Sequence, residues 1–242
     1  MKNGDLALYS GWNIKLPLFV VNFKAYIYGR EALKFSKAAE GISHKYDVPV
    51  IVIPQVVDIG KIAQETELSV FAPYIDPVRI GRGTGSVLPE AVKEAGAVGT
   101  MLNHAERRLS LSEIKEAVRR ADEVGLASMV CADRPEDFAA IASLNPNIIG
   151  TEPPALIGTG KSVARMNKKF ITDSVEIVKK INPKIIVASG AGNVTGSDTA
   201  EVIRLGAEGT GATSGILKAK DPVKVLEEMV RAIKQAWIQR HR

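Results

Sequence analysis

The sequence predicts an α/β fold closed into a single (β/α)8 barrel, and three observations carry that expectation. Short apolar runs alternate with stretches of helical period along the chain. Several runs are apolar at every residue, as parallel strands covered on both faces must be. The chain has 242 residues, 45% of them hydrophobic, a size at which such barrels run unbroken. No short-period repeat or low-complexity linker divides it. One domain is therefore expected over 1–242, with residues 1–15 preceding the first strand and carrying no readable motif.

Strands are expected at Leu18–Asn22, Val48–Ile53, Val70–Pro73, Gly99–Asn103, Ala127–Cys131, Asn147–Glu152, Lys184–Ala188 and Gly209–Thr213. Between them, Ile114, Ala117, Val118, Ala121 and Val124 share one helical face, as do Val223, Leu226, Val230, Ile233 and Trp237. The turn signals DVP and NPK stand just before strands. The third unit is irregular: a Gly-rich loop runs from Ile75 to Leu88, and only Pro89–Glu94 follows it as helix. An open doubly wound sheet is the structural rival. It would carry a Gly-rich phosphate loop after its first strand, where this chain has NFKAY.

Composition excludes several classes. The formal charge of +5 comes from 32 Lys and Arg set against 27 Asp and Glu, with no basic block and no aromatic interleaving. Nucleic acid is not an expected partner, although a mildly positive surface attracts an anionic substrate. A single cysteine, Cys131, rules out an intramolecular disulfide and fits a reducing compartment. His44, His104 and His241 lack ligand-like spacing, so no metal is expected. The apolar run LPLFVV is too short for a membrane span or signal-peptide core; the expectation is a cytoplasmic protein that does not bind membranes.

Barrels of this kind build function on the loops leaving the carboxyl ends of their strands. After the first strand come Asn22 and Lys24; after the fourth, Asn103-His104-Ala105-Glu106-Arg107. The sixth ends in Glu152 and enters PPALIGTGK; the seventh is followed by Ser189-Gly190-Ala191-Gly192-Asn193, the eighth by Thr213-Ser214-Gly215. Together these supply a cation, an imidazole, a carboxylate and free backbone N–H groups. That inventory suits proton transfer beside a carbonyl on a phosphorylated substrate. Taken singly, a lysine after a strand is often just solvated, and a lone histidine is more often structural. Glu152 stands apart, because it ends the apolar run NIIGT and partial desolvation there raises a carboxyl pKa. The string GTGKS at Gly158–Ser162 imitates the end of a nucleotide-binding loop. Ala155 stands where that motif needs its first glycine, and Pro153-Pro154 stiffen the entry.

These segments, taken in order, resemble the triosephosphate isomerase family. NFKAY resembles its Asn-x-Lys signature, LNHAERR its histidine segment, and GTEPPALIGTGK its catalytic glutamate followed by a mobile sixth loop. The likeness continues through GAEG and ILKAKDP, and EPP-x-LIGTG with SGAGN is similar to the compact archaeal-type branch. The resemblance implies a TIM barrel and the interconversion of dihydroxyacetone phosphate and glyceraldehyde 3-phosphate, in glycolysis and gluconeogenesis. This family is the standard case of a glutamate base, a neutral histidine electrophile and a closing loop.

By residue, the resemblance implies Glu152 as base, His104 as electrophile and Lys24 as fixed positive charge, with Asn22 beside it and Glu106 holding it. It implies Ile157, Gly158, Gly190, Ala191, Gly192, Thr213 and Ser214 around the substrate and its phosphate, and hinges at Pro153-Pro154 and Thr159–Lys161. No metal or cofactor is implied. The loop around Thr84 would reach a neighbouring subunit of a homodimer or homotetramer and brace Asn22 and Lys24. Ala155, the eighth strand GTGAT, Thr213 and Ser214, and RIGRGTG in the third loop all depart from the family's usual residues. Two other readings remain. A phosphate barrel of aromatic amino-acid biosynthesis would need room for a larger substrate, and a scaffold barrel would have lost one of Lys24, His104 or Glu152.

Overall fold

The computed structural model describes residues 9–242. Eight strands, β1 (Leu18–Asn22), β2 (Val50–Ile53), β3 (Ser69–Ala72), β4 (Gly99–Leu102), β5 (Ala127–Ala132), β6 (Ile148–Thr151), β7 (Ile186–Ser189) and β8 (Gly209–Gly211), pair in parallel in sequence order. β8 returns to β1 in the register Leu18↔Gly209, Phe19↔Thr210, Val20↔Gly211, and this pairing closes the barrel. The helices are α1 (Gly29–Tyr46), α2 (Ile59–Glu65), α3 (Pro89–Glu94), α4 (Leu111–Val124), α5 (Pro135–Ala142), α6 (Val163–Met166), α7 (Lys168–Ile181), α8 (Gly196–Arg204), α9 (Ser214–Leu217) and α10 (Pro222–Arg240).

Alternation along each strand divides the core into two layers. Leu18, Ile51, Ile53, Phe71, Met101, Met129, Cys131, Ile148 and Ala188 fill the barrel interior. The other parity, including Phe19, Val21, Val50, Val52, Leu102, Val130, Ile149 and Val187, packs outward against the helices. The helix ends are set locally. Ser110 and Glu113 form a capping box at the start of α4, and Gly125 closes that helix at φ +76°.

The expected strands all form, the first with the expected ends and the others with shifted ones. The second begins at Val50, because Val48 N–H still donates to Ser43 O in the turn leaving α1. The seventh starts at Ile186, since Ile185 N–H is taken by Asn182 O. The eighth stops at Gly211, short of the expected Thr213. Its glycines answer a packing demand: a Cβ at Gly209 would stand 2.6 Å from Leu18 Cδ1, and one at Gly211 2.5 Å from Val20 O. One helix position needs correcting. Val223, placed by its spacing on the buried face of α10, is exposed, and Met229 and Ala236 help Leu226, Val230 and Ile233 fill that face. Trp237 is partly buried against the same core.

Residues 9–16 have a role that their sequence did not reveal, whereas residues 1–8 of the expected extension lie outside the described residues. Trp12, Ile14 and Leu16 alternate with exposed Gly11, Asn13 and Lys15 and pack on the barrel-interior cluster, next to Val98 and Ile186 at the amino ends of β4 and β7. Trp12 meets Phe71 edge to face at 5.6 Å, and Tyr9 O accepts from Asn147 Nδ2 at 2.8 Å. The segment therefore covers the amino-terminal mouth, opposite the polar strand ends. Trp12→Ala is expected to lower stability by about 1.5–3 kcal/mol, the value of burying one large apolar side chain, with kcat/KM unchanged. Urea unfolding and steady-state kinetics check this; an unmoved midpoint would separate the segment from the barrel's stability.

Candidate active site

At the carboxyl end a cavity of about 200 Å³ opens among the strand-end loops. Parity brings most of its polar groups inward. Leu18, Val20 and Asn22 share the inner face of β1, so Asn22 reaches the cavity floor, where its Nδ2 lies 3.8 Å from Met101 Sδ. On β6, Ile148 and Gly150 point inward and Glu152 continues that parity one step past the strand, with its N–H still bonded to Ala132 O at 3.0 Å.

Two side chains reach the cavity through left-handed backbone. Lys24 has φ +47°, its N–H donates to Asn22 Oδ1 at 2.9 Å, and its carbonyl accepts from Gln55 Nε2. Asn103 has φ +57° and is clamped at both ends of its amide, by Leu109 N–H on Oδ1 and Cys131 O on Nδ2. That reversal turns the following His104 into the cavity, although strand parity alone would send it outward. Lys24 Nζ donates to Glu106 Oε1 at 2.6 Å, and its side chain is only 14% exposed.

His104 Nδ1 accepts the Glu106 backbone N–H at 3.1 Å, so in the neutral ring the proton sits on Nε2. Nε2 lies 3.6 Å from Glu152 Oε2. Burial, reinforced by the Lys24 charge, lowers the His104 pKa from 6.5 to about 4. Burial raises the Glu152 carboxyl above 4.5, with Lys24 opposing the shift. Glu106 is held below the usual carboxylate range: burial works against its ionisation, but the Lys24 hydrogen bond and charge outweigh it. A neutral imidazole, a carboxyl raised by burial and a fixed cation therefore share one cavity.

The far side is backbone. Gly158 (φ +74°), Gly190, Ala191 (φ +82°), Gly192 (φ +68°), Thr213 and Ser214 line the cavity with Ile157. Thr213 precedes the short helix α9, whose first internal bonds come from Ile216 and Leu217, leaving the Ser214 and Gly215 amides as helix-start donors. Glycine is obligatory at 192, where a Cβ would stand 2.1 Å from Lys161 O. The look-alike GTGKS segment belongs to this wall: Lys161 is exposed, and Ser162 caps α6 by accepting from Ala164 N–H at 3.2 Å.

The structure brings together every expected site residue except Thr84, which lies exposed on the third loop, away from the cavity of its own chain. Among the described residues, no three His, Cys, Asp or Glu side chains are placed to hold a metal, and no helix is long and apolar enough to cross a membrane. Sequence reading missed Met101, Met129 and Thr210 in the lining and the Gln55 clamp on Lys24. Inward parity signals Met101 and Met129; nothing local signals Gln55.

Fold and site place the chain among the (β/α)8-barrel enzymes that carry acid–base side chains at their strand ends. The family model described as triosephosphate isomerase matches residues 17–233. The triosephosphate isomerase of Methanobacterium bryantii is 44% identical over 219 residues, 90% of this chain and 97% of that one. That of Sulfurisphaera tokodaii is 42% identical over 219 residues, covering 90% and 95%, and that of Saccharolobus solfataricus 40% over 225, covering 92% and 99%. The chain belongs to the triosephosphate isomerase family.

The two shifts act with opposite sign on pH dependence. His104 binds its proton less readily folded than unfolded, so stability falls as the pH drops below 6.5, and the loss grows until about pH 4. Glu152 binds its proton more readily folded, so its ionisation costs stability as the pH rises from 4.5 through its raised folded value. The acid limb of kcat/KM is expected above pH 4.5, and the His104 ring proton resonance should titrate near 4. An NMR midpoint near 6.5 would remove the neutral imidazole from the site.

Proposed function

We propose that Glu152, His104 and Lys24 carry the reaction of this chain, the interconversion of dihydroxyacetone phosphate and glyceraldehyde 3-phosphate through an enediolate. That activity and its place in glycolysis follow from the family. The observation that carries the residue roles is the facing of a carboxyl raised by burial and an imidazole kept neutral by it, 3.6 Å apart in one small cavity. The Glu152 carboxylate takes the proton from the carbon beside the carbonyl and returns it to the neighbouring carbon. His104 Nε2–H hydrogen-bonds the carbonyl oxygen and exchanges protons between the two enediolate oxygens. Lys24, anchored by Glu106, supplies positive charge opposite the developing oxyanion.

The substrate's phosphate fits the wall of Gly158, Gly190–Gly192, Thr213 and Ser214, where backbone amides and the start of α9 favour a dianion. This arrangement explains how Thr213 and Ser214 serve in place of smaller residues, since their side chains need not take part. Asn22 and Ile157 complete the substrate contacts. The loop Pro153–Ser162 shields the enediolate, which loses phosphate when exposed to water.

The chain works as one domain in the cytoplasm and self-associates, as a homodimer or homotetramer. The third loop supports association. Its ends are pinned by Asp76 N–H to Val87 O at 3.0 Å and Val87 N–H to Asp76 Oδ2 at 2.8 Å. Its base is held by Arg120, buried to 1% exposure, which bonds Val78 O and the Glu90 and Glu123 carboxylates. From this braced base Ile80 stands 78% exposed, with Thr84 nearby.

Two measurements test these readings. In a coupled assay from glyceraldehyde 3-phosphate, Glu152→Asp is expected to fold normally and lose about 10²-fold in kcat, because the base retreats by roughly 1 Å. Near-normal turnover would remove Glu152 from the role of base. Light scattering should show at least a dimer, and Ile80→Asp should shift it towards monomer with lowered kcat. A fully active monomer at assay concentration would sink the interface role of the third loop.

A further inference from the structure

Beyond the three reacting side chains, the carboxyl end of the barrel holds a second polar cluster that is almost wholly enclosed. Ser162 and Ser189 are 0% exposed, Thr210 1% and Asn193 2%. Ser162 ends the loop that begins at Pro153, Ser189 and Asn193 flank the turn leaving β7, and Thr210 lies in β8. Asn193 joins all three elements. Its Oδ1 accepts from Ser162 Oγ at 2.8 Å; its Nδ2 donates to Thr210 Oγ1 at 3.1 Å and Gly211 O at 3.0 Å. Thr210 Oγ1 passes the chain on by donating to Ser189 O at 2.8 Å. Gly211 O can only accept, which fixes the amide orientation and leaves Oδ1 facing the Ser162 hydroxyl.

Steric interlock reinforces this chain of bonds. Val163 N–H donates to Ala191 O at 3.1 Å, directly beside the loop's end. A Cβ at Gly192 would stand 2.1 Å from Lys161 O, and one at Gly215 2.2 Å from Asn193 O. The loop end therefore has no clearance against the β7 turn, nor that turn against the start of α9. A buried carboxamide whose oxygen and both N–H groups are bonded between three elements rigidifies their mutual placement.

We propose that Asn193 is a positioning residue for the isomerisation, coupling the Ser162 anchor that follows the Thr159–Lys161 hinge of the Pro153–Ser162 loop to the backbone wall at the ends of β7 and β8. This rests on the phosphate-site reading above. Occupation of that wall by phosphate is transmitted through Asn193 to the hinge, which sets how completely the loop covers the enediolate. Loss of the coupling lets the intermediate leak. Its C–O bond to phosphate breaks with the electron pair leaving on phosphate, and the enol that remains becomes methylglyoxal.

The test compares Asn193→Leu, Ser162→Ala and the double variant. It reads kcat, KM, inorganic phosphate released per turnover, and protection of the 158–161 tip from proteolysis by 2-phosphoglycolate. Each single change is expected to lower kcat roughly ten- to a hundredfold, in the range that small misplacements cost, and to raise phosphate release severalfold. The double variant should be no worse than the poorer single, as for two groups acting through one contact. Additive losses would overturn the proposal, as would lowered Tm with unchanged kcat and phosphate release. Should Asn193→Leu fail to fold, Ser162→Ala decides alone, since it leaves the Asn193 bonds to β8 intact; unchanged phosphate release in it is fatal to the coupling. If 2-phosphoglycolate fails to protect the unmutated loop, the phosphate-site reading falls and the coupling with it. Protection in the parent with additive variants sinks the coupling only.

Discussion

The closure of β8 on β1 is the constraint on which the rest of the molecule depends. In a closed parallel barrel the side-chain period is two, so one residue of slip would move an entire inner face outward. With Leu18 set against Gly209 and Val20 against Gly211, Asn22 falls inward at the rim and Glu152 continues the inner face of β6. The short eighth strand is part of this closure. Its two glycines admit the β1 backbone and the Leu18 side chain at distances that no other residue allows. A strand of bulky apolar residues would have required a different β1, and a sequence of weak strand propensity is what this seam needs.

The rim then departs from barrel regularity where chemistry is required. Lys24, Asn103 and Ala191 all have positive φ without being glycine, and each follows a strand that feeds the site. Such conformations are rare for residues with a side chain and persist only where neighbours hold them. Gln55 and Asn22 hold Lys24, Leu109 and Cys131 hold Asn103, and the Ala191 carbonyl is bonded by Val163 N–H. The strained residues thus set the directions of the lysine and histidine side chains and of the backbone wall.

One physical cause, removal of water, prepares both titrating groups. Desolvation penalises the charged form of each, so it lowers His104 to about 4 and raises Glu152 above 4.5. An imidazole neutral at physiological pH is a hydrogen-bond donor that develops no full charge, and a raised carboxyl is a stronger base. Lys24 lies between these demands. Its charge helps keep His104 neutral while restraining the rise of Glu152, and Glu106 fixes its position. Cys131, on the inner face of β5, is pushed well above its ordinary pKa by burial and then by Glu152, so it stays a neutral thiol beside that carboxyl.

The order of elements, the inward places of Asn22 and Glu152 and the glycine-rich wall of the cavity were legible in the chain, because they follow from local period and strand-end position. Helix and strand ends were less so, since the bonds that end them, such as Val48 N–H to Ser43 O, depend on turn geometry. The alternation of Trp12, Ile14 and Leu16 was present but had no visible partner until Phe71 stood beneath it. By itself the sequence determined which chemical groups meet at the carboxyl end of a barrel. Only the tertiary structure decided their ionisation, tautomer and direction, and the Ser162–Asn193–Thr210 chain, because desolvation and hydrogen bonds across 17 to 31 residues exist only once the barrel has closed.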